Sequence, residues 1–138
     1  MKRTKTRDGL IVLLHALVLW ALCGATIGIG RAFWGIETTL IVHLLAVPVF
    51  SSLISLFYFK RFGHFAPVTA AAMFAGSVIA LDAGLVAPVF EKSFEMFRSI
   101  LGTWIPLGLI FVSTLVTGLV SLRPSAIAPE QEQEAHPR

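Results

Sequence analysis

Apolar positions along this chain gather into four long runs, covering residues 10–30, 36–59, 66–89 and 101–122. A helix rises about 1.5 Å per residue, so each run is long enough to cross about 30 Å of hydrocarbon. Backbone groups in lipid must hydrogen-bond within their own segment, which leaves helices as the spanning form for such runs. The pattern therefore predicts an all-α fold: an integral membrane four-helix antiparallel bundle with short loops, occupying residues 1–122.

The polar punctuation between the runs predicts orientation. Lys2, Arg3, Lys5, Arg7, Lys60, Arg61, Arg123 and Arg138 fall on one side of such a bundle, and Arg31, Lys92 and Arg98 on the other. The excess of Lys and Arg marks the cytoplasmic side, giving an N-in/C-in topology. Without the two tail arginines the bias keeps its sign. Residues 123–138 are polar, contain proline and hold too few apolar side chains to fold, so they read as a disordered cytoplasmic tail. The basic start MKRTKTR also resembles the n-region of a signal peptide. The first run is longer than an h-region of about 7–15 residues and no A-x-A site follows, so it reads as a retained anchor.

Composition agrees with lipid as the solvent. The chain is 56% hydrophobic and 14% charged, where soluble domains average about 45–50% and about 25%. Mean hydropathy is +0.81. The net charge of +3 sits at loop ends, which is a topology signal and not a nucleic-acid footprint, so no nucleic-acid partner is expected. One cysteine, Cys23, excludes an intrachain disulfide and a multi-thiolate metal cage.

Small residues suggest how the helices meet. Ala72, Gly76, Ala80 and Gly84 recur every fourth residue, and Gly24 and Gly28 make a shorter step. Such stripes let backbones approach closely, and packing inside the bundle is the expected use, with contact between copies as the alternative. Pro48 should kink the second run, with Ser51 and Ser52 near enough to satisfy the freed carbonyls. Between the last two runs, Phe90, Phe94 and Phe97 stand opposite Glu91, Lys92, Glu95 and Arg98, the pattern of a short interfacial helix.

Ionisable groups inside a span cost about 2.5–3.5 kcal/mol on insertion scales, so the few present stand out. Counting along the helices places Cys23, His43 and Asp82 at about the same depth, about 10–12 Å below the outer interface. Three readings are open: a proton- or ion-coupled relay between Asp82 and His43, a metal site formed with Cys23, and a buried hydrogen-bonded pair that fixes helix register. The last is the leading one, so neither metal nor cofactor is expected. His15 lies in the inner half of the first run, where Thr117 is a suitable hydrogen-bond partner. No phosphate loop, HExxH or paired-carboxylate spacing occurs, and Cys23 lacks a neighbouring cation to activate it, so no catalytic residue is expected.

The segment SFEMFRSILGTWIPLGLIF, with Leu81-Asp82-Ala83 upstream, resembles stretches of functionally uncharacterised small bacterial four-span inner-membrane proteins. The likeness covers the C-terminal half and implies a multi-pass place in the bacterial inner (plasma) membrane, without implying a chemistry. The expected function is a structural or accessory role, with the lipid bilayer and a homo-oligomer or membrane-protein partner around it. An oligomeric proton- or ion-coupled transporter or channel subunit using Asp82 and His43 is the rival expectation.

Overall fold

A computed structural model describes residues 2–122 of the chain. The expected tail, 123–138, lies outside the described residues. The described chain is all-helical: α1 (Lys2–Arg61), α2 (Pro67–Leu81), a wider π-helical continuation (Asp82–Glu91), a single 3₁₀ turn (Glu95–Arg98), a π-helical turn (Ile100–Trp104) and α3 (Ile105–Ser121). Three stretches are long and apolar enough to cross a membrane: Thr4–Arg61, Pro67–Glu91 and Ile100–Ser121.

The first of these is not straight. Gly35 has φ 77° and ψ 171°, a region open essentially only to glycine, and it divides α1 into arms 2–34 and 36–61. The two arms fold back on each other. His15 and Tyr58 would be about 65 Å apart along a continuous helix, yet their ring centroids are 5.6 Å apart. Close to the bend, Gly30 leaves room for Thr39, whose side chain lies 2.6 Å from where a Cβ at residue 30 would stand. The boundary between the first two apolar runs thus corresponds to one glycine, which hydropathy alone had not singled out.

Each arm and helix turns one row inward at three- and four-residue spacing, as helical packing requires. The rows are Val12, Ala16, Leu19 and Cys23 in the first arm, and Ala70, Phe74 and Val78 in α2. Ile110, Thr114 and Gly118 form the row of α3. The second arm is unusual, because Thr39, His43, Val47, Ser51 and Ser55 are all buried and only Val47 is apolar. Meanwhile Ile41, Leu45, Val49, Leu53 and Phe57 on the same arm are exposed. Polar inside and apolar outside is the reverse of a soluble helix, and it suits a chain whose exterior meets hydrocarbon.

Several local expectations are corrected. Ser51 does not serve the carbonyls freed by Pro48; its Oγ donates to the Ile110 carbonyl at 3.3 Å and shares a hydrogen bond with Thr114 Oγ1 at 3.1 Å, tying the second arm to α3. The 90–100 connection is not one amphipathic helix. Lys92 adopts a left-handed conformation (φ 52°), which stops the helix, and only Glu95–Arg98 turn again. The stripe Ala72, Gly76, Ala80 and Gly84 is exposed, and a Cβ at Gly76 or Gly84 would meet nothing within 4 Å, so it is not a close-packed seam of the fold. The inward face of α2 belongs instead to bulkier residues, Phe74 and Val78, which fill the space between helices. The close approach falls elsewhere, at Gly118, where a Cβ would lie 2.7 Å from the Phe59 ring and 2.8 Å from Pro67.

Candidate functional site

The two ends of the molecule differ in how they are filled. At the end carrying residues 62–66, His15 packs against Phe57, Tyr58 and Phe62 at centroid distances of 5.5–5.8 Å. Phe74 meets Tyr58 at 6.0 Å. His15 Nδ1 donates to the Ile11 carbonyl at 2.7 Å, one turn back on its own helix. Thr117, its expected partner, donates instead to Ser113. Both side chains thus satisfy themselves within their own helices.

At the Gly35 end the helices line a partly open cavity of about 410 Å³, with Gly24 and Gly28 at its exposed side. Small-molecule sites run to about 300–1,000 Å³, so the volume is that of a binding pocket and not of a packing defect. Its walls come from the first arm, His43 of the second arm, the α2 continuation and the start of α3. Two local features keep it open. Gly24 and Gly28 form part of the wall, and a Cβ at either would meet nothing within 4 Å. The opposite wall is the π-helical stretch, which contains Pro88. Proline cannot donate to the preceding turn and crowds it, and a widened helix relieves that crowding.

Cys23, His43 and Asp82 all line this cavity, so the layer inferred by counting residues is one place in the fold. Their relations differ from those expected. Asp82 Oδ1 accepts a hydrogen bond from Trp20 Nε1 at 3.0 Å. His43 is buried, and its Nδ1 has no hydrogen-bond partner. Among the described residues the ion pairs are Arg31–Glu91 at 2.7 Å and His64–Asp8 at 3.7 Å, so Asp82 and His43 do not pair. The register-fixing pair is therefore replaced by a Trp20–Asp82 bond between the first arm and the junction of α2 with its wider continuation. No group of three His, Cys, Asp or Glu among the described residues could hold a metal ion, and Cys23 is a buried wall residue.

Gly24 and Gly28, expected to serve helix contact, instead supply open wall. Three further residues complete the site without having stood out in the sequence. Trp20 orients the carboxylate, and the signal for it was an indole N–H inside an apolar run, which needs an acceptor when buried. Arg31 and Glu91 close the rim across 60 residues of sequence, a pairing that no local pattern encodes. Chemically, the arrangement offers an apolar chamber with one fixed carboxylate, one imidazole and a paired charge at its edge. No family model matches this chain, and neither a curated protein nor a solved structure does.

Proposed function

We propose that the chain is a small four-span integral membrane protein, N-in/C-in in a plasma membrane, that binds a small molecule in the outer half of its bundle. The doubled first helix and the two later apolar helices supply the four crossings. The distribution of Lys and Arg favours placing the Gly35 end outside. The observation that carries the binding reading is the cavity itself, walled by glycines on one side and holding a carboxylate oriented by Trp20. Space left unfilled by the protein's own side chains forfeits dispersion contacts, which a bound molecule would restore. A ligand-binding subunit of this kind would serve a carrier or a receptor equally well.

The test is ligand-dependent stabilisation in lipid nanodiscs. Wild type and Gly28→Leu are compared against neutral, cationic and anionic aromatic compounds of roughly drug-fragment size. At least one class should raise the thermal midpoint of wild type and leave Gly28→Leu, which adds a bulky side chain to the cavity lining, unmoved. If no compound separates the two proteins, the binding reading falls. The accessory role then leads, because the exposed stripe from Ala72 to Gly84 offers a smooth face to another helix.

A further inference from the structure

The chemistry of the cavity wall narrows what it would hold, an inference that rests on the binding reading above. Three formally charged side chains line the chamber: Arg31, Glu91 and Asp82. Arg31 is committed to Glu91 at 2.7 Å across the rim, which leaves Asp82 as the carboxylate without a countercharge among the described residues. Trp20 satisfies only Oδ1. No hydrogen bond from the described residues reaches Oδ2. Cys23 and His43 are the other titratable groups in the wall, and His43 forms no ion pair with Asp82.

A carboxylate without a countercharge, in a wall that is mostly apolar, is unfavourable unless it takes up a proton or a ligand opposes its charge. The surrounding residues suit one kind of opposing group. Trp20 and Phe90 line the same cavity, and aromatic rings attract cations placed over their faces within about 6 Å. Ile27, Leu107 and Ile110 supply apolar surface for the rest of a ligand. A hydrated metal ion would find no cluster of ligands here. We propose that the cavity binds a lipophilic organic cation, with a substituted ammonium group against Asp82 and an apolar body along the inner wall.

The experiment uses three probes of similar size and different charge: benzyltrimethylammonium, its neutral carbon isostere neopentylbenzene, and benzylsulfonate. Binding to the full chain in nanodiscs is measured by saturation-transfer NMR, with Gly28→Leu discs as the reference for lipid partitioning. The cation should bind at least tenfold more tightly than either of the others. Asp82→Asn should weaken the cation at least tenfold while leaving neopentylbenzene unchanged, and Trp20 can still donate to the new amide oxygen. Equal binding of cation and neutral isostere, or cation binding indifferent to Asp82→Asn, overturns the proposal. If neopentylbenzene binds in a Gly28→Leu-sensitive way while the cation does not, the cavity survives as a neutral-ligand site and only the cation assignment is lost. If no probe distinguishes wild type from Gly28→Leu, both readings fail.

Discussion

The two ends of this molecule use the same helices for opposite purposes. Around His15 and Tyr58 the space between helices is filled by rings, and Gly118 exists to admit Phe59 and Pro67. Around Asp82 the same helices stand apart, and Gly24 and Gly28 admit nothing from the protein. Glycine is thus a packing device at one end and a means of keeping space open at the other. In hydrocarbon there is little hydrophobic drive between helices, so association rests on dispersion and hydrogen bonds. The filled end supplies dispersion, and Ser51–Thr114 and Trp20–Asp82 supply hydrogen bonds farther along. An open end is tolerable because the filled end carries the association.

That contrast can be broken by substitution, with stability read by SDS titration in mixed micelles. Phe74→Ala removes a fully buried ring at the filled end and should cost the most, about 3–5 kcal/mol. Gly118→Val drives a side chain into Phe59 and Pro67 and should cost about 1–3 kcal/mol by overpacking. Tyr58→Phe should cost less, about 0.5–1.5 kcal/mol. The Tyr58 hydroxyl is buried beside the backbone N–H groups of His64 and Phe65, and removing it takes an acceptor away from them. A gain of stability on that change would show that the hydroxyl is unpaired. Val86→Ala, in the cavity wall, should have the smallest effect, under about 1 kcal/mol, because the space beside it is already open. A cost comparable with Phe74→Ala would mean that the two ends are equally packed, and the comparison would collapse.

The candidate site was partly legible. Asp82, His43 and Cys23 stood out because polar groups are costly in an apolar run, and counting residues put them in one layer, where they share a cavity wall. Their partners were not legible. Trp20 lies 62 residues from Asp82, and Glu91 lies 60 from Arg31. The buried row Thr39, His43, Val47, Ser51 and Ser55 was present in the sequence at four-residue spacing, as visible as the Ala72–Gly84 stripe. Of the two regular rows, the polar one faces inward and the small one faces out.

The sequence by itself determined that the chain is helical and where its long apolar segments lie, because length and apolarity suffice for that. It also placed Cys23, His43 and Asp82 at one level of the helices, where they line one cavity. Only the tertiary structure decided how each helix is rotated. When both faces of a helix are apolar, hydropathy carries no information about which one turns inward. That choice falls to shape and to hydrogen bonds between distant residues, and here it turned Asp82 toward Trp20 and opened a chamber beside it.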